Sequence, residues 1–172
     1  MGGERVPKYW VLKTREGRGG RDYWDRFVSE SVIAIGWEDI PVRPHVVSQD
    51  DLESSVRETY PTEDEKHGAR TIRNFIDIAV RDRVLLCQGY SPNQSKGVYI
   101  YGFATVTGAF YDDALSDWWT FKHAADIRSV ERHVPKSLLV RTLGKRSMLQ
   151  TLHQIRREGF EQLESQLCLS PE

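Results

Sequence analysis

The sequence predicts an α+β fold, a small mixed or mostly antiparallel barrel of strands flanked by helices. Three observations carry this. The apolar patterning reads in the order β, α, β, loop, α, β, β, β, α, so strands outnumber helices. The two kinds of element do not alternate regularly, as a doubly wound parallel sheet requires. The chain closes on an amphipathic stretch whose apolar stripe needs a sheet to cover. A length of 172 residues suits one domain spanning 1–172, in which roughly 70% of the unfolded chain's surface can be buried.

The first element, YWVLK from Tyr9, is β-prone and buried in character. The stretch GRGGRDYWDRFVSES begins as a glycine-rich turn and becomes helical, with Tyr23, Trp24 and Phe27 on its apolar face. VIAIGW is a short apolar strand ending in glycine and Trp37. Residues 38–62 hold Pro41, Pro44 and Pro61 among many acids and read as a long loop with at most one helical turn. A helix is expected from Glu63 to Ile78, with Ile72, Phe75, Ile76 and Ala79 at helical spacing. Asp82 then fits a tight turn and VLLCQ a buried strand. VYIYGFATVTGAFY alternates as a long strand, bent at Gly102 or Gly108. DDALSDWWTFKH reads as a connector and ADIRSVERHV as a further strand. Ser147 and Gln150 form a capping box that opens the last helix, with Met148, Leu149, Leu152, Ile155, Phe160, Leu163 and Leu167 as its stripe.

Composition excludes several classes. No apolar run approaches the length of a membrane span, and MGGERVPKYW lacks the apolar core of a secretion signal, so a cytoplasmic protein is expected. Cys87 and Cys168 match no zinc or redox spacing and read as structural thiols. The net charge of −1 conceals an asymmetry. From Lys122 to Arg157 there are nine Lys/Arg against two acids, whereas Gln49 to Gly68 holds seven acids against two bases. A basic face that meets phosphate and two merely solvated faces both account for this pattern.

No catalytic set emerges. The histidines show no HExxH or paired metal spacing, no GxSxG occurs, and GRGG lacks the Lys-Ser ending of a phosphate loop. No cofactor and no metal are expected. Aromatic and basic residues remain. Five tryptophans stand at Trp10, Trp24, Trp37, Trp118 and Trp119, and a base stacked on an aromatic ring gains about 1–3 kcal/mol. Trp24 reads as core. Trp10 fits the core better than a pocket wall but stays among the candidates. Trp37, Trp118 and Trp119 lie in connectors, where core and pocket are equally open. Lys145 and Arg146, just ahead of Ser147 at the expected helix N-terminus, would suit a nucleic-acid phosphate, or simply a capped turn with exposed bases.

YWVLK, a helix, then VIAIGW resembles the opening of the EVE and YTH branch of the PUA-like superfamily. The likeness is nearest to the EVE-like specificity domains at the N-terminus of McrB-type, modification-dependent restriction systems. IRNFIDIAVRDRVLLCQ is similar to the family's helix-then-strand passage, with Arg81 where its "GD-V" turn has glycine. YGFATVTGAFYDD and WWTFKHAADIRSVERHVP resemble the strands and loop that follow. The resemblance implies a pseudo-barrel sheet wrapped by helices and a non-catalytic, monomeric reader of a modified nucleobase flipped into an aromatic cage. Its partner would be nucleic acid, foremost methylated DNA, alongside a motor NTPase and a nuclease. Lys13 and Thr14 match the family's lysine and small hydroxyl residue after the first strand. Trp37 or Ile35 matches the cage tryptophan after the second strand, Trp118 and Trp119 the loop tryptophans, and Gln88 or Asn93 a polar residue after the third strand. One added methyl is worth only about 1 kcal/mol by burial, so selectivity would also need a displaced water or a steric mismatch. An RNA-reading module of the same superfamily and a small nuclease with an atypical site are the alternatives.

Overall fold

The computed structural model describes residues 5–14, 22–37, 40, 47–88, 97–108, 111–112, 121–144 and 151–169. Its element order is β1 (Tyr9–Lys13), α1 (Trp24–Glu30), β2 (Val32–Ile35), α2 (Gln49–Thr59), α3 (Glu65–Ile76), β3 (Arg83–Cys87), β4 (Val98–Val106), β5 (Tyr111–Asp112), β6 (Phe121–Val134), α4 (Lys136–Leu143), β7 (Leu152–Ile155) and α5 (Arg157–Leu169). The expected α+β class holds: one mixed, curled sheet carries helices on both faces, consistent with a PUA-like pseudo-barrel. The strand order is β2-β6-β4-β3-β1-β7, with β5 also paired to β6. Among the described strands, only β1 and β3 run parallel, Tyr9 facing Arg83 and Lys13 facing Cys87. The other pairings are antiparallel.

Period-two alternation divides the side chains between two cores. Trp10 and Leu12 of β1, Val84 and Leu86 of β3 and Ala104 and Val106 of β4 point to one side. There they meet Trp24 and Phe27 of α1, Leu52 and Val56 of α2, and Ile72 and Phe75 of α3. Tyr9, Val11, Leu85, Cys87, Ile100 and Phe103 point to the other, against Leu139 of α4 and Phe160, Leu163 and Leu167 of α5.

Two stretches depart from the sequence reading. Residues 49–59, read as loop, form α2. Ser48 caps it, its hydroxyl accepting from the Asp51 N–H at 3.1 Å, and only Leu52 and Val56 supply its apolar stripe. The last helix starts at Arg157, not at Ser147. Leu152 and Ile155, spaced as on a helix, instead end a four-residue strand paired to β1. A separate helix, α4, precedes it and is C-capped at Gly144.

The α3–β3 turn contains the substitution seen in the sequence. Arg81 has φ = 78°, the left-handed region in which glycine would carry no Cβ penalty. The next residue, Asp82, is fully buried yet well supplied with donors. Its carboxylate accepts from the Lys8 N–H at 2.9 Å, the Ala79 N–H at 3.1 Å and the Trp10 indole N–H at 3.1 Å.

His123 of β6 is 0% exposed, and its Nε2 donates to the Phe75 carbonyl at 2.8 Å. Burial pushes its pKa below 6.5, against the opposing pull of the Phe75 and Gly108 carbonyls and Asp82. The unfolded chain then binds the extra proton more readily. Stability is therefore complete above about pH 6.5 and falls as pH drops from there toward the depressed native value. Urea titrations at pH 7.5 and 5.5 should show this loss, and His123→Gln should shrink the difference between the two. An unchanged difference in the variant would remove His123 as the cause.

Candidate functional site

At one end of the sheet the C-termini of the parallel strands β1 and β3 lie beside the start of β4 and the end of β6. The Thr14 N–H donates to the Cys87 carbonyl at 2.9 Å, the Gln88 N–H donates to the Tyr99 carbonyl at 3.0 Å, and Tyr99 stands opposite His133. These bonds set Thr14, Gln88, Tyr99 and His133 in one row across four strands. By alternation the row faces the same side as Trp10, Leu12, Val84 and Leu86. It is more polar than the rows beneath.

The aromatic part is a ladder. Trp24 and Tyr101 stack with centroids 5.1 Å apart and planes 22° apart. Tyr101 meets Tyr99 edge-to-face at 5.0 Å, and Tyr99 meets His133 edge-to-face at 4.9 Å. Burial decreases along it, from the buried Trp24 through the half-buried tyrosines to the exposed His133. Two breaks in register aim Tyr101. Between Leu86 and Cys87 of β3, β4 carries one extra residue, and between Ile100 and Gly102 of β4, β6 carries one extra residue. Glu131, at φ = 51°, lies within the second break. Bulges of this kind bend a strand and redirect a side chain. Gly102 completes the bend, since a Cβ there would lie 2.2 Å from the Arg128 carbonyl oxygen.

The polar part centres on Asp22. Its Oδ1 accepts from the Thr14 hydroxyl at 3.0 Å and from the Trp24 N–H at 3.0 Å, and its Oδ2 accepts from the Tyr101 hydroxyl. One carboxylate thus joins the end of β1, the start of α1 and the bulge of β4.

The structure distributes the expected site residues unevenly. Thr14 and Gln88 share the row. Lys13 lies on the opposite face of the sheet, next to Cys87, by the same alternation; burial holds its amine below the usual lysine value, with Cys87 opposing. Adjacent in sequence, Lys13 and Thr14 therefore serve different faces. Trp10, kept as a candidate wall, is placed in the core at 2% exposure, its indole N–H given to Asp82. Ile35 is also core. Trp37 is half-buried on another part of the molecule, edge-to-face with Tyr60, the C-cap of α2, at 5.1 Å and seated on α3. A Cβ at Gly68 would fall 2.7 Å from its ring, which accounts for a glycine inside a helix where alanine is intrinsically favoured by about 1 kcal/mol.

Trp118, Trp119, Asn93, Lys145, Arg146 and Ser147 lie outside the described residues. The flanks of the last three are described. Gly144 ends α4, and among the described residues the next helix, α5, begins at Arg157, so LGKRS follows a helix C-terminus. Its far flank, Thr151, accepts the Lys13 N–H at 2.9 Å.

Asp22, Tyr99, Tyr101 and His133 did not emerge from the sequence. Tyr99 and Tyr101 leave a trace as two aromatics two apart in VYIYG. Asp22, eight residues from Thr14, leaves none. Among the described residues, no three His, Cys, Asp or Glu side chains converge as a metal site, and no helix is long and apolar enough to cross a membrane.

No protein-family model matches the chain, and no curated protein matches it. Solved structures with a similar fold include the Mmi1 YTH domain, at 9% identity and a TM-score of 0.49, covering 95% of this chain and 76% of that one. Rpa0253 from Rhodopseudomonas palustris has 15% identity and a TM-score of 0.49 over 96% of each chain. Human THYN1, in complex with DNA containing 5-methylcytosine, has 12% identity and a TM-score of 0.46, covering 95% of this chain and 99% of that one.

Proposed function

We propose that this chain is a non-catalytic reader of a modified nucleobase in nucleic acid, with methylated DNA as its first candidate ligand. The observation that carries the reading is the row Thr14–Gln88–Tyr99–His133 above the Trp24–Tyr101 stack. It sets ring faces and hydrogen-bonding edges together at one end of a rigid sheet, the combination that holds a planar heterocycle. The EVE and YTH resemblance of the β1–α1–β2 opening supports the same ligand class.

In this reading a base leaves the stack and enters beside the row, and Gln88 meets its polar edge. Trp118 and Trp119 supply further walls. Lys13, with Lys145, Arg146 and Ser147, meets backbone phosphate. The setting is the specificity module of a restriction or defence system, partnered by a motor NTPase and a nuclease.

The test is a titration of DNA and RNA oligonucleotides carrying 5-methylcytosine, 5-hydroxymethylcytosine or N6-methyladenine. The parent chain is compared with Tyr99→Ala and the double variant Trp118→Ala/Trp119→Ala. Loss of one stacking ring should weaken binding about tenfold, corresponding to roughly 1–3 kcal/mol. Preference for RNA would move the reading to the RNA branch, and cleavage in magnesium would overturn the non-catalytic assignment. Equal binding by the parent and every folded variant would sink it altogether.

A further inference from the structure

Trp37 plays no part in the row, yet the fold builds a place for it. Its φ of 80° is a backbone conformation that a bulky residue rarely adopts and that persists only where contacts impose it. The benzene end of its indole rests on Gly68, where an added Cβ would fall 2.7 Å from Cη2 and 2.9 Å from Val56 Cγ1. That end is therefore wedged between α2 and α3. The opposite end carries the indole N–H, which is not buried and has no acceptor among the described residues. Tyr60, half-buried like Trp37, stands at 84° to the indole with ring centroids 5.1 Å apart. Two rings at a right angle make two walls of a corner.

Charge decides the occupant. The Tyr60 carbonyl accepts the Glu63 N–H at 3.0 Å, which brings Glu63 to the Tyr60 side of the corner. Asp64 and Glu65 open α3, four and three residues ahead of Gly68. Asp64 is spent on the cap, accepting the His67 N–H at 2.8 Å. The Glu63 and Glu65 carboxylates have no ion-pair partner among the described residues. From Gln49 to Gly68, seven acids face only Lys66 and Arg57, and Arg57 donates to the Ser54 hydroxyl. Such a surface repels phosphate and draws in a cation, which the ring faces also favour. We infer that this corner holds an arginine side chain of a partner protein, stacked on Trp37 and paired with Glu63 or Glu65. Arginine suits it better than lysine because the guanidinium is planar, weakly hydrated and able to stack on a ring while bonding a carboxylate. The site is separate from the Thr14–Gln88–Tyr99–His133 row and does not depend on the reader assignment.

The experiment follows the indole N–H resonances of the isotope-labelled whole chain while an acetylated, amidated Gly-Ser-Arg-Ser-Gly peptide is added. Trp37→Phe, which keeps a ring on the Gly68 seat, identifies the Trp37 resonance by its loss. That resonance should shift and saturate. The same peptide with citrulline, neutral but alike in shape, should need about fivefold more for half-saturation, and a lysine peptide should fall between the two. The double variant Glu63→Gln/Glu65→Gln should bring the arginine peptide to the citrulline value. If Trp37→Phe does not fold, the same double variant decides, because it should weaken the response of one indole resonance and spare the others. Arginine and citrulline peptides that act alike would overturn the inference. So would a Trp37 resonance that moves with neither, the behaviour of a purely structural corner. A methylated oligonucleotide that shifts this resonance where arginine does not would also overturn it, returning Trp37 to base recognition.

Discussion

Asp82→Ala should destabilise the protein by about 3–5 kcal/mol, measured as the shift in urea unfolding at pH 7. The side chain has no exposed surface and receives the Lys8 and Ala79 amides and the Trp10 indole N–H. Alanine leaves these donors without their acceptor, and each buried unmet donor costs about 1–3 kcal/mol before water or relaxation recovers part of it. Asp82→Asn should lose less, since one oxygen remains, but its amide nitrogen must face an N–H group at one of the two positions. The carboxylate links the entry to β1 with the α3–β3 turn, so the parallel β1–β3 pair depends on it. A loss under about 1 kcal/mol for Asp82→Ala would show that this link is not structural.

Phe160→Ala should cost a similar amount, about 3–5 kcal/mol, by removing a large ring from the second core. Phe160 is fully buried on α5, with ring centroids 5.1 Å from Tyr9 and 5.4 Å from Phe103. The Arg83 guanidinium lies 5.4 Å from its own ring centre. Those partners come from β1, β4 and β3, so one substitution tests whether α5 docks across the middle of the sheet. The same urea assay decides it: a near-neutral variant would mean the helix packs elsewhere.

Much of the fold was legible because its strands obey period two and its best helices have apolar stripes with caps. β1, β2, β3 and α3 fall where their patterns place them, and the bend in β4 occurs at Gly102. The failures have local causes. α2 carries just two apolar side chains on an acid-rich surface, and its sign was Ser48 followed three residues later by Asp51, a cap that the prolines nearby outweighed. At the C-terminus, Leu152 and Ile155 are three apart, a spacing that suits one helical face. In a four-residue strand these residues are its two ends, and their burial comes from α3 on one side and α5 on the other. Short apolar runs do not distinguish the two cases.

The site was less legible than the fold. Thr14 and Gln88 followed from the resemblance because each lies just past a strand. Lys13 and Thr14 were grouped because the resemblance has a lysine and a small hydroxyl residue together after the first strand, whereas a strand sends neighbours to opposite faces. Asp22 binds partners from three elements, and only the folded chain brings those elements together. Tyr101 owes its direction to register, a property of paired strands that one strand's sequence does not contain.

That register break has a consequence for comparing this protein with others. Across Glu131 the count of residues along β6 steps by one relative to β4. A related chain without the additional residue would match this one in length to within a single position, yet past that point would set different β6 side chains opposite the start of β4. Functional positions transferred between the two by simple numbering would be correct up to the kink and systematically displaced beyond it.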